Sequence, residues 1–307
     1  LFRSNMITNK EPLVSIIMNC YNGEKYLKEA IESIFTQTYD NWEIIFWDNC
    51  SSDGSAEIFK GYNDKRLKYF QSKNKTNLNV ARNCAIDQAS GMLLSFLDVD
   101  DWWCADKLER QVPLFRNDNI SIVYGNYFFF NEIKNTKHLM SKNILPTGKI
   151  IKEILDGDIS IGLVTLIIRR ISLQSLKIGF DPQYHIIGDF DVVVRIALKG
   201  GQVACEQGPV GYYRWHGSNE SIKNKRLQLK ETESWLSDMG KTIDNHLLVK
   251  FRQKLSYNKA QFYLEDKRYL SFFLSLKGVG FSKELLKVLF LLFLLFFPRT
   301  SQKIRKI

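Results

Sequence analysis

The chain is short of paired cysteine. Its 307 residues hold five cysteines (Cys20, Cys50, Cys84, Cys104 and Cys205), widely spaced and without a CxxC pair. That excludes a disulfide framework and a zinc cage from expectation and predicts free thiols in a reducing compartment. No internal repeat or low-complexity tract stands out. The opening LFRSNMITNKEP has no long apolar stretch, so no signal peptide is expected in it. It also lacks an initial Met, which leaves room for residues upstream. No uncharged apolar run is long enough to span a bilayer as a helix. The segment LLKVLFLLFLLFFP, about 285–298, has an uninterrupted core of ten residues from Val288 to Phe297. As a helix that core rises roughly 15 Å, against a hydrocarbon layer of roughly 30 Å.

The first 222 residues also lack a charge excess, with 25 basic against 26 acidic side chains. Residues 223–307 carry 18 basic and 7 acidic, so the formal +10 of the whole chain lies entirely there. This argues against a uniformly basic nucleic-acid binder. It predicts a neutral globular body, 1–222, followed by a basic helical extension, 223–307. With 45% hydrophobic and 13% aromatic residues, the chain can bury a sizeable core, which excludes global disorder.

What is present first is alternation. VSIIM (14–18), WEIIFW (42–47), LKYF (67–70) and MLLSFL (92–97) read as buried strands. Between them, Leu27, Ala30, Ile31, Ile34 and Phe35, and later Val80, Ala81, Cys84, Ala85 and Ala89, recur at helical spacing. Continuous apolar strands separated by helices predict an α/β fold with a mostly parallel sheet covered on both faces. Ligands then bind beyond the carboxyl ends of the strands. Those ends deliver Asn19, Cys20, Tyr21 and Asn22, then Asp48 and Asn49, then Asp98 to Asp101. Asp and Asn also cap turns after strands. Three carboxylates within four residues, however, repel one another unless a cation or substrate offsets them. Hard oxygen ligands in an open site suit magnesium or manganese beside phosphates. A later helix begins at Asp189, where Asp189 and Asp191 fall in its first turn and also fit simple capping.

VSIIMNCYNGEKYLKEAIESIFTQTYDNWEIIFWDNCSSDGS resembles the opening of inverting family-2 glycosyltransferases with the GT-A fold. NLNVARNCAIDQASGMLLSFLDVDDWW is similar to their Ala-Arg-Asn helix and the DxD-bearing Leu-Asp-x-Asp-Asp motif. GFDPQYHIIGDFDVVVRIALKGG and GYYRWHGSNES resemble the general-base segment and the Tyr-Arg-x-His strand. The match spans roughly 12–222 in the right order.

The resemblance implies residue roles. Asp48 matches the carboxylate at the nucleotide base, and Arg82 a cation beside the nucleotide. Cys20, Tyr21 and Asn22 fall in the donor-binding turn. Asp98 lies near ribose and metal, and Asp100 ligates a manganese or magnesium ion bridging the diphosphate. Asp101 and His216 are further metal candidates. Asp189 is the general base, with Asp191 in reserve. Cys20 stands where a Thr is usual, Asn49 where a second Asp is frequent, and Gly188 where a Glu precedes the base.

The activity implied is metal-dependent, inverting sugar transfer from a nucleotide-sugar donor to a glycan or lipid-linked acceptor in surface polysaccharide synthesis. The competing readings are a catalytically degenerate membrane scaffold and a sugar nucleotidyltransferase. The latter would need a basic phosphate loop where Asn-Cys-Tyr-Asn stands. The basic collar around the 285–298 segment predicts anchorage to an anionic membrane at the cytoplasmic face. Packing of that segment on the body, or on a partner subunit in a homo-oligomer, is the other expectation.

Overall fold

The computed structural model describes residues 11–276; the 285–298 segment lies outside the described residues. The described residues form two units, one of 11–151 and 160–217, the other of 152–159 and 218–276.

In the first unit, one mixed sheet is built from β1 (Val14–Cys20), β2 (Trp42–Asp48), β3 (Leu67–Gln71), β4 (Leu93–Phe96), β5 (Trp102–Trp103), β6 (Ile120–Asn131), β7 (Thr136–Leu139), β8 (Ile167–Arg169) and β9 (Gln202–Trp215). The order is β3-β2-β1-β4-β8-β6-β9-β5, with β7 added to β6. The α/β expectation holds. Its parallel part is β3-β2-β1-β4. Beyond it, β8 pairs antiparallel with both β4 and β6, while β9 runs parallel to β6. Its helices are α1 (Glu24–Phe35), α2 (Ser55–Lys60), α3 (Leu78–Asp87), α4 (Lys107–Gln111), α6 (Arg170–Gln174) and α7 (Gly188–Leu198), while α5 (Ile151–Asp156) falls almost wholly in the second unit.

β1 is buried along its whole length, as a strand covered on both faces must be. Val14, Ile16 and Met18 share one cluster with Leu27, Ala30, Ile31 and Ile34 of α1. Successive side chains alternate faces, so Ile17, 2% exposed, points to the other side. Helix α3 packs against β1 and β2. It starts at Asn77, whose side chain accepts from the Asn79 amide at 2.8 Å, an N-cap bond.

The second unit gathers α8 (Glu220–Lys223), α9 (Lys225–Met239), α10 (Val249–Glu265) and α11 (Tyr269–Ser275). Trp235 is fully buried and packs on Phe251, with ring centroids 5.2 Å apart. Asp156, brought in by the short 152–159 segment, is paired with Lys152 and, at 2.9 Å, with Lys250. Among the described residues, no helix is long and apolar enough to cross a membrane.

Candidate active site

The turns after β1 and β2 are laced together. Gly23 N donates to Ser55 Oγ at 2.9 Å, Glu24 N to Asp53 Oδ2 at 3.0 Å, and Ser52 N to Asn22 Oδ1 at 2.8 Å. The first amides of α1 are thus satisfied by the second loop. Asn22 sits at φ 54°, a left-handed conformation that Asn tolerates better than most residues. Tyr21 is 45% exposed on this rim, with Lys75 Nζ 3.5 Å from its ring centre.

Two residues expected at the donor are turned inward. Cys20 is 1% exposed. Its sulfur faces Ser51 and Gly23, where a Cβ would lie 2.9 Å from Sγ. Burial pushes that thiol up. Asp48 is fully buried; its Oδ1 accepts from Ser51 N at 2.7 Å and its Oδ2 from the Tyr69 hydroxyl at 2.8 Å. Both carboxylate oxygens already have protein partners. In the same edge, Asn19 and Trp47 stand opposite each other across β1 and β2. Asn19 Nδ2 and Trp47 Nε1 are both buried donors with no acceptor within the described residues.

Arg82, on α3 and 5% exposed, organises the next layer. Its Nη2 donates to Asp98 Oδ1 at 3.2 Å and its Nη1 to Asn79 Oδ1 at 3.2 Å. Asp98 keeps 40% of its side chain open. Crowding by protein nevertheless pushes its carboxyl up, with Asp100 and Asp189 adding repulsion and Arg82 opposing them. Asp189 opens α7 beside Gly188, and its Oδ1 accepts from Phe190 N at 2.8 Å. Burial raises its carboxyl too, and Arg82 is the principal group drawing it back. One guanidinium therefore serves two acids. Asp191 behaves differently. It is 1% exposed and takes two bonds from Arg195, through Nε at 2.8 Å and Nη2 at 2.5 Å. Arg195 also caps the carbonyls of Ile178 and Gly179, both at 2.6 Å. Asp191 thus pins the helix to the preceding loop and is ill placed as a reserve base. Removing one member of such a buried pair costs about 3–5 kcal/mol.

The DVDD turn divides its labour. Asp100 Oδ2 lies 3.0 Å from His216 Nε2. The His216 ring stacks on Tyr26, with centroids 5.1 Å apart. Asp101 is 4% exposed, and its Oδ1 accepts from Arg214 N at 2.8 Å. Burial first, then Asp100 and Asp98, pushes its carboxyl well up. Asp101 therefore ties the turn to β9. Arg214 Nε donates to the Asp100 carbonyl at 2.8 Å, and its guanidinium pairs with Glu29. Arg214 thus joins the site although the sequence motif implies no role for it; its one signal is its place two residues before His216.

Among the described residues, no three His, Cys, Asp or Glu side chains are gathered into a ready cation cage. Asp100 and His216, 3.0 Å apart, with Asp98 in the same turn as Asp100, carry carboxylate and imidazole donors of the kind that magnesium or manganese can accept. Such ions are commonly held by one or two carboxylates, with substrate phosphates completing the shell.

The carboxylate turn after β4 and the acid at the start of α7 both interact with Arg82. The family model described as glycosyl transferase family 2 matches residues 15–175. The Escherichia coli protein WfgD, a UDP-Glc:alpha-D-GlcNAc-diphosphoundecaprenol beta-1,3-glucosyltransferase, is 38% identical over 168 residues, 55% of this chain and 64% of that protein. A putative teichuronic acid biosynthesis glycosyltransferase of Bacillus subtilis, TuaG, is 35% identical over 123 residues, 39% of this chain and 49% of its own. The chain therefore spans less than two thirds of either relative.

Two solved structures share the fold. S. aureus TarS 1–349 in complex with UDP has a TM-score of 0.58 at 17% identity, covering 86% of this chain and 90% of that one. The mannosyltransferase PcManGT of Pyrobaculum calidifontis, in complex with GDP-Man and Mn2+, has a TM-score of 0.61 at 16% identity, covering 96% and 84%. The GT-A expectation is met, and with its model running from β1 past β8, the chain belongs to glycosyl transferase family 2.

Proposed function

We propose that this chain transfers a sugar from a nucleotide-sugar donor to a hydroxyl of a glycan or lipid-linked acceptor, with inversion, in surface-polysaccharide synthesis. The observation that carries the reading is Arg82, which holds Asp98 at 3.2 Å and also acts on Asp189. The donor-side acid and the base candidate thus share one cation. In this reading residues 1–222 are the catalytic body, and Tyr21, Asn22, Arg82 and Asp98 face the donor. Asp189 accepts the proton of the attacking hydroxyl, an assistance typically worth about 10²–10⁴-fold. A single displacement at the anomeric carbon inverts it, and the diphosphate leaves without a covalent sugar–enzyme intermediate. Asp100, with Asp98 and His216, would hold a manganese or magnesium ion, whose chemistry is to offset charge on the departing diphosphate. The side chains Asp101 and Asp191 keep the site in shape.

The names of the Escherichia coli relatives suggest UDP-glucose as the first donor to try and a diphosphoundecaprenol-linked saccharide as the first acceptor. The basic extension 223–307 would keep the enzyme at the cytoplasmic face of the membrane, where such an acceptor resides. The test is a thermal-shift and turnover screen of UDP- and GDP-sugars with manganese. Stabilisation plus acceptor-dependent nucleotide release is expected. Binding without turnover on any acceptor would instead favour the degenerate scaffold.

A further inference from the structure

We propose that Asn79 is the positioning residue that fixes the Asp189-bearing segment against the donor-side carboxylates, with Gly188 as its obligate complement. The proposal rests on reading Asp189 as the base.

Asn79 is fully buried on α3, and its one amide group faces two ways. Its Nδ2 donates to the carbonyls of Asp181, at 3.0 Å, and of Tyr184. Its Oδ1 accepts from Arg82 Nη1. A rigid planar group thus ties the loop leading to Asp189 to the cation that holds Asp98. One turn later, Asn83 fastens the start of that loop. Its Nδ2 donates to Phe180 O at 2.7 Å and its Oδ1 accepts from Phe180 N at 2.9 Å.

The end of the loop is fastened by contact. A Cβ at position 188 would lie 2.1 Å from Asn79 Nδ2 and 2.7 Å from its Cγ and Oδ1. Asn79 occupies the space that any side chain at 188 would need. The Gly188 that replaces the family's usual Glu is therefore not a free loss; it is what lets Asn79 reach both carbonyls. Asp189 follows Gly188 directly and inherits its position. Aspartate at 79 would turn acceptors toward two carbonyls, so the amide itself is required.

The experiment uses the full chain as N79A, G188A and N79A/G188A, with N79S added should N79A fail to fold. Melting temperature is read first, then kcat and donor KM from UDP release from UDP-glucose with manganese. G188A alone should lower Tm by about 5 °C through overpacking. On the N79A background it should cost nothing further, because its Cβ enters vacated space. Either single change should lower kcat by about 10²-fold, the scale of a misplacement near 1 Å. Donor KM should move much less than kcat. The double variant should be no slower than N79A. Additive losses in Tm, or N79A at wild-type kcat, overturn the proposal. Asp189→Asn with wild-type kcat would sink the base reading and this proposal with it, whereas uncoupled Tm values sink this proposal alone.

Discussion

Arg82 Nη2 stands 3.2 Å from Asp98 Oδ1, and the same guanidinium moderates Asp189. A base works deprotonated. The Asp189 carboxyl is raised above the ordinary carboxylate value near 4, so transfer should fade as pH falls through that raised value. Arg82→Met removes the moderating cation and should move the acid limb of kcat/KM to higher pH. A limb that stays put would show that Asp189 does not set it. Asp189→Asn should lose about 10²–10⁴ in transfer while nucleotide affinity, read by calorimetry, stays close to wild type.

The Asp100–His216 pair, 3.0 Å apart, is where metal removal should tell. Calorimetry of UDP with and without manganese should show a metal-dependent gain in the wild type. Asp100→Ala should abolish that gain, and His216→Ala should reduce it. An undiminished gain in Asp100→Ala would remove Asp100 from the metal.

Asp101 makes a stability prediction. Its folded carboxyl is pushed up by burial, so the folded state keeps its proton longer than the unfolded chain does. Stability should therefore fall as pH rises from about 4 through that raised value. Asp101→Asn keeps an acceptor for Arg214 N and removes the buried charge. Its denaturant midpoint should exceed wild type at pH 7 and converge with it in acid. Equal pH dependence in both proteins would contradict the assignment.

Trp47 Nε1 is a buried donor without an acceptor among the described residues. An unpaired buried donor costs about 1–3 kcal/mol. Trp47→Phe should leave Tm unchanged or higher. If the nucleotide supplies the missing acceptor, UDP affinity should also fall about fivefold, on the order of 1 kcal/mol. Unchanged affinity would place the nucleotide elsewhere.

Truncation after about residue 280 should release the chain from vesicles containing anionic lipid, read by sedimentation. Continued pelleting would dismiss the C-terminal anchor.

The parallel half of the sheet was legible because its strands are uninterrupted apolar runs and its helices carry clean 3.6-residue stripes. Which carboxylates face inward was not legible. Asp100 and Asp101 are neighbours in sequence, yet one meets His216 and the other is sealed against Arg214 N, more than a hundred positions away. Asp191 shares the first turn of α7 with Asp189 and differs only in facing Arg195. The tie from Asn79 to the Asp189 loop carries no local signal, since Asp181 and Tyr184 arrive from another part of the chain.

The second unit takes residues 152–159 from the middle of the first, and Asp156 there pairs with Lys250. The polypeptide thus leaves the first unit and returns to it before finally departing at 218. The two units are not beads on a string. A catalytic fragment cut at 217 would carry an orphaned stretch of the other unit, with Asp156 deprived of Lys250. Grafting the second unit onto a relative would require two splice points. Any strain or displacement in one unit is therefore covalently wired into the other at three crossings of the chain.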